Sequence, residues 1–371
     1  MMEDALKGIK TLEVGTMTPG KFTGFLLTGW GAESLRIERP SGRQEPVIGD
    51  EDLTLNRGKR SIALNLREPR GRDILLRLAA DADVFMESYR PGTAARLGID
   101  AQAVQALSPR IIYCSLSGFG QTGPDRLRAA YDLNQQTETG FSLALAGDRT
   151  PMAPDTYIAD SISGLMAAFA ISAALRQREV TGEGATIDLG IQESLFALMA
   201  VSHGTLRTNA PALELRAAYG IFEAANNTSL SLGVARKASA DALFERLGRP
   251  DLADEGLLRG APGAAARAFL TEALRAKSAR DWIDELAPLD IEIAPVNSPE
   301  AAFDNPQLIE RAMAFKTSHP IAGALRQIGI PGVDVRQLAP APVAGADTDA
   351  VLGELDYDPA EIVELKTAGV I

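Results

Sequence analysis

Short apolar runs alternate with amphipathic stretches over the first two hundred residues. Residues 11–14, 34–37, 83–86, 111–116 and 185–189 have the length and apolar content of buried strands, and residues 22–27, 71–80 and 165–176 read as helices between them. This β-α-β alternation predicts a mostly parallel sheet covered by helices on both faces. Ligands of such sheets bind beyond the carboxyl ends of the strands. The loops after Val14, Ile37, Met86 and Leu116 are therefore the places to look for chemistry.

The pattern changes near Ser202. Residues 202–218 are polar, contain Gly204 and Pro211, and read as a linker. Beyond it, 219–222 and 229–234 look like paired strands joined at Asn226-Asn227. Helices are predicted at 239–247, 264–276 and 279–286, and a strand at 291–294. Ser278-Ala279-Arg280-Asp281 is close to a capping box for the third helix. The expected organisation is a large α/β domain over 1–201, a linker over 202–218, a smaller α+β domain over 219–302, and a final segment 303–371. That segment ends in two helices, the last opened by Asp358-Pro359 and stopped by Gly369.

Composition narrows the classes. A chain of 371 residues with 46% hydrophobic and 23% charged residues is ordinary for a globular protein of about two domains. A net charge of −12 argues against nucleic acid or an anionic membrane surface as partner. A lone cysteine, Cys114, and two histidines, His203 and His319, leave little material for disulfides, a zinc site or a Ser–His–Asp triad, and no metal is expected. Met1-Met2-Glu3-Asp4 shows no secretory pattern. The longest apolar stretch, 165–175, is shorter than the ~20 residues of a membrane span. Being apolar round most of its circumference, it is expected to lie buried in a core. A soluble, cytoplasmic protein is the expectation.

Three segments carry candidate chemistry. Tyr157-Ile158-Ala159-Asp160-Ser161-Ile162-Ser163-Gly164 places one carboxylate at the mouth of an apolar helix, followed by small residues that leave room for a substrate. On local statistics Asp160 is a cap, held ionised by unpaired N–H groups and the helix dipole. An open carboxylate there can also serve as a nucleophile. Gly118-Phe119-Gly120-Gln121-Thr122-Gly123 matches a dinucleotide fingerprint, but it follows the fourth predicted strand and opens no apolar helix, so it reads as a glycine loop. Arg57, Lys59 and Arg60, within Asn56-Arg57-Gly58-Lys59-Arg60, form either a solvated loop or a phosphate site. Arg39, Arg90 and Arg96 near other element ends could converge with them on one polyanion.

Taken in order, these segments resemble the class III CoA-transferases, the family that includes formyl-CoA:oxalate CoA-transferase, carnitine CoA-transferase and α-methylacyl-CoA racemase. The resemblance spans nearly the whole chain. It rests on Gly31-Ala32, Ile37-Glu38-Arg39-Pro40, Asn56-Arg57-Gly58-Lys59-Arg60-Ser61, Arg90-Pro91-Gly92 and Ser117-Gly118-Phe119-Gly120 through Gly123-Pro124. It continues in Tyr131-Asp132-Leu133, Ala159-Asp160, Thr181-Gly182-Glu183-Gly184, Ala294-Pro295-Val296-Asn297 and Ala368-Gly369-Val370.

The resemblance implies a homodimer of interlocked rings. Each chain would have a Rossmann-like large domain built from both termini, with 303–371 as return linker and C-terminal part, and an inserted small domain. It places the catalytic aspartate at Asp160, which would pass through an aspartyl anhydride and an aspartyl-CoA thioester. CoA-binding positions would be Thr16, Met17, Thr18, Arg39, Leu64, Arg67, Ser88, Arg96 and Leu97, with Tyr131 and Asp132 near the acyl group. The substrates would be an acyl-CoA and a free carboxylic acid, with coenzyme A as part of the substrate and no resident cofactor.

Two departures bear on specificity. Oxalate-using relatives carry Gln where this chain has Met17, and the Asn of their strand-end E-N-[FY] pattern is Ser88 here. Both argue against oxalate, and no glycine-rich lid is evident after Val234. Racemase-type relatives have a His at the position of Tyr131, and a phenol is a poor base at neutral pH. Transferase therefore ranks above the alternatives, an α-methylacyl-CoA racemase or acyl-CoA isomerase and a silent CoA-binding homologue.

Overall fold

The structure is a computed structural model describing residues 4–15, 17–40, 48–146, 150–203 and 215–371, the side chains of 202 and 203 excepted. The chain divides into two units, Met1–Thr205 with Pro306–Ile371, and Leu206–Asn305.

In the first unit six strands form one sheet: β1 (Lys10–Val14), β2 (Glu33–Glu38), β3 (Arg60–Ala63), β4 (Val84–Glu87), β5 (Ile112–Ser117) and β6 (Ala185–Gly190). All pairings are parallel, in the order β3-β2-β1-β4-β5-β6. The order reverses between β1 and β4, so a crevice opens at their carboxyl ends. Side chains leave alternate faces of the central strands. Val84, Met86, Ile112 and Cys114 enter one core, whereas Phe85 and Tyr113 enter the other and stack with centroids 5.3 Å apart. Burial pushes the Cys114 thiol up to about 12, as suits a packing residue. β3 lies inside the basic run, where its charges hide a strand whose apolar contribution is Ile62.

Helices α1 (Thr18–Gly29), α2 (Asp50–Leu55), α3 (Pro69–Ala80), α4 (Thr93–Leu97), α5 (Ala101–Leu107), α6 (Asp132–Glu138), α7 (Phe141–Ala146), α8 (Ile158–Thr181), α9 (Ile191–Leu198) and the short α10 (Ala200–His203) belong to the N-terminal part. α8 has 24 residues and departs from expectation twice. It is long and apolar enough, by length and composition, to cross a bilayer. One face packs on α1, β5 and β6, but Leu165, Met166, Phe169 and Val180 are exposed, Phe169 by 69%. The helix is therefore not buried all round.

In the second unit β7 (Tyr219–Glu223), β8 (Ser229–Gly233) and β9 (Ile293–Pro295) pair antiparallel. Asn226 and Asn227 make the turn with φ of 59° and 56°, a left-handed backbone that Asn tolerates. Phe222, Leu230, Leu243, Phe244, Trp282 and Leu286 lie in its core. Ser278 caps the helix Ala279–Leu286 by accepting from Asp281 N–H.

The C-terminal segment returns to the first unit. Its hairpin, β10 (Ala314–His319) with β11 (Gly323–Ile328), holds α2: the Thr54 hydroxyl donates to Gln327 Oε1 at 2.9 Å and Gln327 Nε2 to Leu53 O at 3.0 Å. Asp347 accepts from Ser61 N–H at 2.8 Å and Thr348 Oγ1 from Ala63 N–H at 3.1 Å, covering the β3 edge. The helix Pro359–Thr367 packs Ile362 and Leu365 into the same core as Phe85.

Candidate active site

Asp160 sits in the first turn of α8, after the N-cap position Tyr157, and the helix start explains why a carboxylate is tolerated there. It does not cap. Among the described residues no hydrogen bond ends on its carboxylate, while its own N–H donates to Asp132 Oδ1 at 3.0 Å. Asp132, 28 positions earlier at the start of α6, satisfies that first-turn donor and leaves the Asp160 carboxylate unengaged. Gln136 Nε2 donates to the other oxygen of Asp132, which is 7% exposed.

The electrostatics also differ from expectation. Burial, then the charges of Asp132 and Glu51, push the Asp160 pKa up to about 7. A helix N-terminus favours the anion, but here desolvation and like charge outweigh it. Glu51, on α2, accepts from the Thr18 hydroxyl at 3.1 Å and lies 3.1 Å from Lys21 Nζ, which also pairs with Asp52 at 2.8 Å. The sequence gives no signal for Glu51, which reaches this region because the hairpin holds α2.

The small residues after Asp160 serve packing more than access. A Cβ on Gly164 would lie 2.6 Å from Pro19 O, and the Thr23 hydroxyl approaches Gly164 O at 3.1 Å. Ser163 is fully buried with its hydroxyl on Asp160 O, and only Ser161 is exposed. Close approach of α1 and α8 requires these side chains to be small.

A cleft of about 410 Å³ opens at the carboxyl ends of β1, β2, β3 and β4. Of the sequence-predicted residues it brings together Arg39, Leu64, Arg67 and Leu97, and it adds Arg36 and Tyr89. Arg36 is buried and held by Glu38 at 3.0 Å, whereas the exposed side chains of Arg39 and Arg67 make no ion pair among the described residues. Arg96 is not among the lining residues and donates to the Thr93 hydroxyl, which is, at 2.9 Å. Ser88 follows β4 with its hydroxyl buried and unpartnered. Met17, 57% exposed, is the N-cap of α1 and Thr18 its first residue, and neither is among the lining residues. Thr16 lies outside the described residues. Tyr131, 80% exposed, precedes α6, with Asp132 buried beside it.

The basic cluster is neither a solvated loop nor a phosphate site. Lys59 Nζ lies 2.8 Å from Glu13 Oε1, with both side chains fully buried, and burial pushes the Lys59 pKa down to about 8. Arg57 donates to Ile328 O at 2.7 Å, and its guanidinium carbon lies 5.1 and 5.2 Å from the ring centroids of Phe25 and Phe315. Arg60 makes two bonds to Glu354. Each cation is committed to holding elements together. Among the described residues no three His, Cys, Asp or Glu side chains form a metal-binding set.

An α/β sheet of doubly wound order, with a cationic cleft at its switch point and an unengaged carboxylate at a helix start, defines a ligand-binding enzyme fold. The description of CoA-transferase family III matches residues 6–348, and the chain belongs to that family. It is 29% identical to the human succinyl-CoA:glutarate CoA-transferase, over 99% of this chain and 90% of that protein. It is 30% identical to the acetyl-CoA:oxalate CoA-transferase of Acetobacter aceti, over 84% and 85%. The crystal structure of a CAIB/BAIF family protein from Brucella suis superposes with a TM-score of 0.79 at 26% identity, covering 95% of this chain and 99% of that one. The chain is thus a class III CoA-transferase, an enzyme of acyl-CoA metabolism whose family moves CoA between an acyl-CoA and a carboxylate.

Proposed function

We propose that Asp160 carries this transfer covalently. Its carboxylate oxygen attacks the thioester carbonyl, the C–S bond breaks, and CoA leaves as thiolate from a mixed anhydride. The thiolate then attacks the aspartyl carbonyl, forming an aspartyl-CoA thioester and releasing the first acid. The incoming carboxylate attacks that thioester and the same steps run in reverse, returning Asp160 and a new acyl-CoA. One thioester replaces another, so no energy source is needed. The single observation that carries this reading is the Asp160 carboxylate itself: unengaged, desolvated, and with its pKa raised to about 7, so that the anion still present near neutral pH is more basic and more reactive than an ordinary carboxylate.

The cleft is the proposed seat of the CoA nucleotide. Arg39 and Arg67 would meet phosphate, and Leu64 and Leu97 would pack the adenine. The enzyme is further read as a homodimer, which the exposed apolar side chains Leu165, Phe169 and Val180 of α8 support. Its likeness to the human enzyme supports dicarboxylic acids as acceptors and succinyl-CoA as the first donor to test. Met17 argues against oxalate despite the Acetobacter relative. An exposed Tyr131 gives racemisation no second base.

Incubation with succinyl-CoA alone should leave a CoA-sized adduct on the peptide containing Asp160, read by mass spectrometry, and Asp160→Asn should show none. An adduct elsewhere, or exchange of the α-proton into deuterated water without label transfer between acids, would overturn the assignment.

A further inference from the structure

We propose that Glu87 is a positioning residue that ties the cleft wall at Tyr89 to the glycine-rich loop leading to Asp132 and Asp160. This rests on the reading of Asp160 and the cleft given above. Glu87 ends β4, one of the two strands at the switch point, is 3% exposed, and has no ion-pair partner among the described residues. Both carboxylate oxygens are engaged. Oε1 accepts from the Ser115 hydroxyl at 2.5 Å, and Oε2 accepts from Tyr89 N–H at 2.7 Å.

Each bond leads onward. Ser115 Oγ accepts from Gln121 Nε2 at 2.6 Å, and Gln121 N–H donates to the Asp188 carboxylate at 3.0 Å, so loop 118–123 is pinned at two points. Gly118 O accepts from Gln135 Nε2 at 3.1 Å, fixing the same loop to α6, whose first residue, Asp132, holds the Asp160 N–H. In the other direction Tyr89 lines the cleft, and its ring fills the space over Gly15, where an added Cβ would lie 2.3 Å from it. One carboxylate thereby fixes the wall of one site and the scaffold of the other.

The chemistry accounts for a carboxylate here. Burial pushes the Glu87 pKa up, with the bonds from Ser115 and Tyr89 opposing the shift. A buried anion without a cation costs stability. An apolar residue would avoid that cost but leave the Tyr89 N–H and the Ser115 hydroxyl without their acceptor. Glu87→Gln can still accept from Tyr89, but its amide N–H₂ then faces Ser115, whose oxygen can take that bond while its hydroxyl hydrogen loses its acceptor, so the link from Glu87 into the loop arm is reversed and weakened.

The test separates the two arms. Gln121→Ala and Ser115→Ala should lower kcat about tenfold or more, with the CoA dissociation constant by calorimetry unchanged, because a displacement of about 1 Å can cost roughly 100-fold. Glu87→Gln should lower kcat similarly and also weaken CoA binding several-fold. Hydrogen exchange of amides 118–123 should accelerate in all three. Gln121 stands on a half-buried loop, so its variant reports even where Glu87→Gln misfolds. Unchanged kcat and exchange in Gln121→Ala, or a lowered Tm with both kinetic constants intact in Glu87→Gln, would overturn the proposal. The exchange readout needs no turnover. Activity in Asp160→Asn, or CoA that binds without protecting the cleft residues, marks failure of the underlying reading instead.

Discussion

Asp160 and Asp358 stand in similar local settings, each at the start of a helix that packs apolar residues inward, yet the fold uses them in opposite ways. Asp358 caps: its Oδ1 accepts from Ala360 N–H at 2.8 Å and Glu361 N–H at 2.9 Å, and Glu361 returns a bond to its N–H. Asp160 stands three positions after the N-cap Tyr157 and caps nothing; Asp132 reaches across from α6 to take its N–H, and burial with like charge raises its pKa to about 7. One carboxylate stabilises its helix, and the other is kept free at a cost in stability. That cost is the mark of a functional group.

The comparison breaks most sharply at turnover. Asp160→Asn should lower CoA transfer by roughly 10⁴-fold or more, the scale seen when a nucleophilic unit is removed, while Asp358→Asn should leave steady-state transfer unchanged. Substantial transfer by the Asp160 variant would sink the mechanism.

Stability should move the other way. The Asp160 pKa is raised from the ordinary value near 3.8 to about 7, so this one group takes nothing from wild-type stability below about 3.8 and lowers it progressively as pH rises towards 7. Relative to wild type, Asp160→Asn should gain up to about 4 kcal/mol above pH 7, at 1.36 kcal/mol per unit, and nothing near pH 3. Urea melts at both ends of that range read the difference, and a gain independent of pH would refute the desolvated carboxylate.

A smaller effect concerns the origin of the shift. Asp132→Asn keeps an oxygen for the Asp160 N–H but removes a charge, so the acid limb of the kcat/KM profile should move down by about one unit. An unmoved limb would leave burial and Glu51 as the causes. The smallest effect is at the other helix: Asp358→Ala should cost about 1 kcal/mol of stability at neutral pH, measured by thermal melting. An equal cost from Asp160→Ala would erase the contrast.

The alternation of apolar runs with amphipathic stretches was enough to place five of the six parallel strands and the β7–β8 hairpin, since central parallel strands are covered on both faces and read as short apolar runs, and a tight turn needs residues such as Asn226 and Asn227. It also placed Asp358, whose capping bonds lie within three residues. Arg39, Leu64, Arg67 and Leu97 could be named before the fold because they follow strand ends or belong to a recognisable family order. Only the parallel sheet brings them to one cleft.

What the sequence could not decide are properties set by partners far along the chain. Arg57 and Lys59 look like a surface patch until Glu13, Phe315 and Ile328 are folded against them. β3 is hidden by the same charges. Residues 165–175 of α8 look apolar round most of their circumference, yet which face is covered depends on α1 and the sheet. Asp160 itself was legible as a carboxylate at a helix start, but its freedom and its pKa come from Asp132 and Glu51, 28 and 109 positions away by residue number. Local hydrogen bonds act over a turn of chain and can be read in order. Desolvation and charge act through space, so only the tertiary structure fixes them.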